Sequence, residues 1–289
     1  MAIFNLGSIN IDHVYQLPHF PAPGETLASS SYQRGLGGKG ANQSVAAARA
    51  GARVVHLGAI GPGDDWVIDR LSRAGVDCGR IARMDVPTGH AIIYLDGAGE
   101  NQIVLFPGAN RAMAVDVVDR GLADAQGGDL LLIQNETAHA ARAAAMARAR
   151  GMAVIASAAP FDAGAVAEVL PHVTTLALNA VEAAQLRAAL GRDPDLPEML
   201  VTLGAEGAEL RLAGGQVLRQ AALAVDPVDT TGAGDTFAGY FAAARDAGAP
   251  HAAALRLAAG AAALKVTRAG AADAIPSRDA VEAFLKGQP

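Results

Sequence analysis

"DLLLIQNETAHAARAAAMARARGMAVIAS" (129–157) opens on one apolar run, Leu130–Ile133, and closes on another, Met152–Ala156. Each run has the length of a buried strand, and the alanine-rich stretch between them favours helix. The same unit recurs along the chain. "AIFNLGSI" (2–9) and "RVVHLGAI" (53–60) read as strands. "GANQSVAAARAG" (40–51) reads as a helix, with Ala41, Val45 and Ala48 on one face and Gly51 as its stop. "DWVIDRLSRAG" (65–75) is a second helix ending at Gly75, and "TTLALN" (174–179) and "EMLVTL" (198–203) are further strands. Continuous apolar strands alternating with helices predict an α/β fold: a doubly wound, mainly parallel sheet flanked by helices.

Two regions break the rhythm. "DHVYQLPHFPAPGETLASSSYQR" (12–34) is rich in Pro, Ser and β-formers, and "GHAIIYLDGAGENQIVLF" (89–106) predicts a hairpin around Gly97–Glu100. Together they suggest a small β element projecting from the main sheet.

The 289 residues suit one large α/β domain, and 51% hydrophobic residues supply a substantial core. A net charge of -6 argues against a nucleic-acid partner. Cys78 is the only cysteine, which excludes an intramolecular disulfide and fits a cytoplasmic location. The seven histidines are scattered and form no H-E-x-x-H pair. Residues 1–12 lack the features of a signal peptide. Arg245, Asp246, Arg256 and Lys265 interrupt the apolar C-terminal region, against a membrane span.

Ligands of an open parallel sheet bind beyond the carboxyl ends of its strands. The residues following the apolar runs are therefore the candidates: Asn135 and Glu136, Ser157, Asn179 and Glu182, and Gly204. "DTTGAGDTF" (229–237) adds a glycine turn ahead of a helix whose apolar face is Phe237, Tyr240, Phe241 and Ala244, so the helix is predicted to begin near Asp235. Such a turn offers N–H groups to an anion. Asp235 at that point suits a general base, or simply an N-cap. "GLGGKGANQ" (35–43) is a second glycine turn, able to bring Lys39 and Asn42 to a polyhydroxy ligand or to leave the lysine in solvent. "NAVE" (179–182) fits both a capping box and a pair of oxygen ligands for Mg2+. Glu136 suits a helix start, and Asp12 a turn, as well as a site.

"LGSINID" (6–12), "PGET" (23–26), "GGKGANQ" (37–43), "GEN" (99–101), "PGAN" (107–110), "NAVE" (179–182), "VTLG" (201–204) and "DTTGAGDTF" (229–237) occur in this order across almost the whole chain. The set resembles the ribokinase (pfkB-type) family of sugar kinases. That resemblance implies one kinase domain over 1–289, with a β lid from about 12–34 and 89–106 that often makes a dimer contact. It implies transfer of the ATP γ-phosphate to a sugar hydroxyl. Asp235 matches the catalytic base, and Gly232, Ala233 and Gly234 the anion hole. Asp12, Gly38, Lys39, Asn42 and Glu136 match the sugar contacts, which favour ribose. Asn179 and Glu182 match the motif that organises Mg2+ and phosphate, and Thr202 and Gly204 the nucleotide-side loop. Asp229 and Thr231 match part of a monovalent-cation loop resembling a K+ site.

The chain departs from the family pattern in three places. Ser157-Ala158-Ala159-Pro160 stands where an Asn-Pro-Ala-Pro run is usual, the segment between Glu182 and "VTLG" is short, and Ala274 stands where a serine is common. Fructose, 2-keto-3-deoxygluconate or a nucleoside are the rival acceptors. A non-catalytic sugar- or nucleotide-binding protein on the same scaffold is the rival outside enzymes. A dinucleotide oxidoreductase is disfavoured, because "LGSINID" is not G-x-G-x-x-G.

Overall fold

The computed structural model describes residues 1–288. The elements run β1 (Ile3–Leu6), β2 (Asn10–Gln16), β3 (Ser31–Gly37), α1 (Lys39–Arg49), β4 (Val54–Ile60), α2 (Asp65–Arg73), β5 (Val76–Arg83), β6 (Gly89–Leu95), β7 (Asn101–Phe106), α3 (Ala109–Ala112) and α4 (Val115–Gly121). Then come β8 (Leu130–Gln134), α5 (Ala140–Ala149), β9 (Ala153–Ser157), α6 (Ala163–Val169), β10 (Thr175–Asn179), α7 (Ala180–Leu190), β11 (Glu198–Thr202), β12 (Ala208–Leu212), β13 (Val217–Gln220), α8 (Ala233–Asp246), α9 (His251–Val266) and α10 (Arg278–Lys286).

The main sheet has the order β13-β12-β11-β10-β9-β8-β1-β4-β5. Every strand pair in it is parallel except the two made by β12, which runs antiparallel between β11 and the edge strand β13. Successive side chains of a strand point to opposite faces. Ile3, Leu130 and Leu132 accordingly join one core with Val45, Tyr240, Phe241 and Leu255. Phe4, Leu6, Leu131 and Ile133 join a second core with Val118, Ala143 and Val166. Both faces are covered, which is why these runs are apolar throughout. Each large side chain so buried stabilises by roughly 1.5–3 kcal/mol.

The short segment after Glu182 is accommodated simply. α7 returns the chain directly to β11, which pairs with β10. Both strands end level, Asn179 opposite Thr202.

The second sheet has the order β3-β2-β6-β7, with β2 and β6 parallel and the outer pairs antiparallel. It matches the two aberrant regions, although β2 starts at Asn10 and β3 extends to Gly37. β3 runs through Gly38 straight into α1, so this sheet is joined without a linker to the first glycine turn. Among the described residues no helix is long and apolar enough to cross a membrane.

Candidate active site

Helices α1 and α8 bring the two glycine turns together. A Cβ on Gly239 would lie 2.5 Å from Ala46 Cβ and 2.6 Å from the Gln43 carbonyl, so only glycine permits this approach. Gly7 and Gly40 are packed in the same way, a Cβ on Gly7 falling 2.5 Å from Gly40 Cα. The N-terminal turn of α1 is thereby seated on the end of β1. Gly38, at φ 93°, turns the chain between β3 and α1 in a conformation that favours glycine.

α8 begins at Ala233, two residues earlier than its apolar face suggested. Gly232, at φ 72°, is the N-cap, and Asp235 makes no capping bond. Its carboxylate instead accepts from Asn42 Nδ2 and from Gln43 Nε2, both at 3.0 Å. Burial pushes the Asp235 carboxyl above the usual carboxylate range, and the Lys39 charge and these two amides pull it back. Among the described residues the N–H groups of Gly232, Gly234 and Asp235 have no hydrogen-bond partner, as the first turn of a helix dictates. The Ala233 N–H differs, since it closes a turn onto the Thr230 carbonyl at 3.1 Å. A Cβ on Gly234 would meet nothing within 4 Å, so the space beside Gly234 is open.

Asn42 Oδ1 is buried and has no partner among the described residues. Buried polar groups are normally paired, so this acceptor beside the Asp235 carboxylate is free to take a hydrogen bond from water or a ligand hydroxyl. Lys39 lies among acids: burial lowers its pKa, but Asp235, Glu136 and Glu182 outweigh it and the net shift is upward. Glu136 Oε2 accepts from the Ser8 hydroxyl and, at 3.3 Å, from the Lys39 backbone N–H. Burial pushes Asp12 up to about 6, and the negative charge of Glu136 pushes in the same direction. Asp12, Lys39, Asn42, Glu136 and Asp235 thus act on one another electrostatically or by hydrogen bonds, as one site.

Behind Asp235 runs a buried polar chain. Gln134 Nε2 donates to Gln43 Oε1 at 2.8 Å and to Asn5 Oδ1 at 3.0 Å. Asn5 Nδ2 donates to Ser44 Oγ at 2.8 Å, and Ser44 Oγ is 2.8 Å from His56 Nδ1. His56 Nε2 is 3.1 Å from the Gly7 carbonyl, which fixes the Nε2–H tautomer. Burial lowers the His56 pKa to about 4, so the ring is neutral.

The rim beyond β9, β10 and β11 is more open. Asn179 and Glu182 form the complete capping box: Asn179 Oδ1 accepts from the Glu182 N–H at 2.9 Å, and Glu182 Oε2 from the Asn179 N–H at 2.8 Å. Glu182 Oε1 makes no hydrogen bond among the described residues, which leaves a hard oxygen suited to the water shell of Mg2+. Among the described residues Thr202 Oγ1 reaches only the Leu178 carbonyl, at 3.4 Å, and Gly204 sits exposed at φ 59°. The Ser157-Ala158-Ala159-Pro160 loop is braced by Asn135, whose Nδ2 donates to the Ala158 and Pro160 carbonyls at 3.1 Å.

Asp229 and Thr231 are occupied differently from expectation. Asp229 Oδ1 and Oδ2 accept the Thr231 and Gly270 N–H groups, each at 2.8 Å. Burial raises the Asp229 pKa, but these bonds and Lys265 overcome it and hold the carboxyl below its usual range. The Asp229 carbonyl accepts from Lys265 Nζ at 2.8 Å. Ala274 is buried and brings no hydroxyl. These donors do not fit K+: an ammonium already stands against the loop. Ser8, Gln43, Gln134 and Lys265 are the site residues that sequence reasoning missed. Gln43 lies within the "GGKGANQ" motif, and in the sequence Lys265 is visible only as a charge interrupting an apolar stretch.

The family model for pfkB family carbohydrate kinases matches residues 2–278. Haemophilus influenzae ribokinase is 35% identical over 299 residues, covering 97% of each chain. Bacillus subtilis ribokinase is 33% identical over 293 residues, covering 97% of this chain and 98% of the relative. Among solved structures, Thermotoga maritima ribokinase aligns with a TM-score of 0.88 and 34% identity, over 99% of this chain and 100% of that one. Arabidopsis thaliana ribokinase complexed with ribose and ATP aligns with a TM-score of 0.85 and 29% identity, over 99% of each chain. The chain belongs to the pfkB family of carbohydrate kinases.

Proposed function

We propose that this chain is an ATP-dependent ribokinase that converts D-ribose and ATP to ribose 5-phosphate and ADP. The observation that carries the reading is Asp235, held by Asn42 and Gln43 at the start of a helix whose Gly232, Gly234 and Asp235 N–H groups have no partner among the described residues. The ribose- and ATP-bound plant relative supports the choice of acceptor.

Phosphoryl transfer depends on positioning and charge stabilisation. Asp235 orients the attacking hydroxyl and accepts its proton. The N–H groups of Gly232 and Gly234, with the dipole of α8, stabilise charge on the transferring group. Asp12, Gly38, Lys39, Asn42 and Glu136 hold the sugar, and the unpaired Asn42 Oδ1 accepts from one of its hydroxyls. Thr202 and Gly204 line the nucleotide side. Mg2+, when bound, neutralises phosphate charge, and Asn179 and Glu182 would organise it.

Residues 1–289 form one kinase domain in this reading. The second sheet acts as a lid that excludes water from the reacting atoms. β7 presents Ile103, Val104, Leu105 and Phe106 in succession, each at least 45% exposed, and a second copy of the chain covers them. A single cysteine accords with a cytoplasmic enzyme.

The test is ADP release with Mg-ATP over a panel of sugars and nucleosides. Ribose must be the preferred acceptor. Preference for fructose, 2-keto-3-deoxygluconate or a nucleoside would keep the chemistry and replace the acceptor. Absence of turnover with ATP still bound would favour a binding protein.

A further inference from the structure

Lys265 is the only buried lysine or arginine among the described residues. Burial of a charge costs several kcal/mol unless partners repay it, and an apolar side chain of similar volume would often serve stability better. Lys265 lies in the last turn of α9, where the helix dipole favours a cation. Its Nζ donates to the Asp229 carbonyl at 2.8 Å and is 3.9 Å from Asp229 Oδ1. The same loop is tied to α9 by the Val228 and Asp229 N–H groups, which both donate to the Val266 carbonyl, at 2.7 and 3.0 Å. Three residues after Asp229 comes Gly232, and then the turn that carries the anion-binding N–H groups and Asp235. A positive charge is therefore anchored against the loop that leads into that turn. Ala274 is buried and carries no side-chain oxygen that could serve a metal ion.

We propose that the Lys265 ammonium is a tethered monovalent cation. It fixes the Asp229–Gly232 loop, which leads into the phosphoryl-binding turn, and places a positive charge against it, so the protein needs no K+. The inference rests on the kinase reading for its catalytic consequence, though not for its effect on loop order. Lys265 touches no reacting atom and is a positioning residue.

The experiment compares wild type and Lys265→Ala in buffer with tetramethylammonium as the only cation besides Mg2+, then with K+ or a short alkylammonium added. Turnover on the best acceptor, calorimetric ATP affinity and thermal midpoint are read together. Wild type should be indifferent to K+ in all three. Lys265→Ala should lose about 10²-fold in turnover through a displaced turn. Ammonium compounds that enter the vacated space should restore part of the turnover and the midpoint. K+ raising wild-type turnover, ATP affinity or midpoint would overturn the proposal. So would a folded Lys265→Ala protein with wild-type turnover and ATP affinity. If that variant does not fold, the wild-type response to K+ decides alone. If no acceptor is turned over, the kinase reading fails separately, and the effect of K+ on ATP affinity and midpoint still decides this proposal.

Discussion

Gln43 Nε2 donates to Asp235 Oδ1 at 3.0 Å while Gln43 Oε1 accepts from Gln134 Nε2 at 2.8 Å. The amide cannot flip without losing both bonds, so Gln134 sets which end of Gln43 faces the carboxylate. A bond to the ionised form of Asp235 lowers its pKa, against the burial that raises it. Gln43→Leu removes that bond, and Gln43→Glu replaces it with a like charge. Both should raise the Asp235 pKa, Gln43→Glu further. A base works deprotonated, so the acid limb of the kcat profile should move to higher pH, with KM for the sugar changed less. A pH–rate profile that stays in place in both variants refutes the positioning role.

Asp235→Asn keeps an acceptor for one amide and removes the proton acceptor. Turnover should fall by roughly 10²-fold or more. ATP and ribose affinities, measured by calorimetry, should persist. Turnover near wild type would remove Asp235 from the base role.

Asp12 couples site and stability. Its folded pKa is raised to about 6 from 3.8. The native state then holds a proton that the unfolded chain has released, and stability from this group, full below pH 3.8, is lost as pH rises through about 6. Asp12→Asn removes the burden. The variant should melt higher than wild type above pH 6, with the gap closing toward pH 4, while its ribose affinity drops more than its ATP affinity. An equal loss of both affinities would take Asp12 out of the sugar site.

Much of this was legible because local chemistry and tertiary role coincide. The runs at Leu130–Ile133 and Met152–Ala156 had to be strands buried on both faces, and the capping box at Asn179 and Glu182 formed as its spacing required. What was not legible depends on long-range approach. Gln43 and Asp235 are 192 residues apart, and Lys265 meets Asp229 across 36. No periodicity records such pairs. The apolar face of α8 points to a start near Asp235, two residues late, because glycines at Gly232 and Gly234 mask a helix terminus from propensity.

The exposed β7 strand tests the assembly. Val104 is 62% exposed on a strand whose outer edge is unpaired. Val104→Lys should leave the monomer's thermal midpoint nearly unchanged, as surface substitutions do. It should convert a dimer to a monomer in sedimentation. A wild type that sediments as a monomer at all concentrations would rule out the dimer.

His56 predicts the acid limit of the fold. Its ring is fully buried and neutral, with a pKa of about 4 against 6.5 for a free histidine. Between those values the unfolded chain takes up a proton that the native state refuses, so stability falls as pH falls from 6.5 to about 4. The loss approaches about 3 kcal/mol at the lower end. The loss also has a local meaning, because protonating Nδ1 ends its acceptance from Ser44 and disturbs the chain through Asn5 and Gln134 toward Asp235. Denaturation of wild type and His56→Gln at several pH values should show a steeper acid decline in wild type. NMR of the ring should show no titration until pH nears 4. A ring that titrates near 6.5 would place His56 in contact with solvent and detach it from the buried chain.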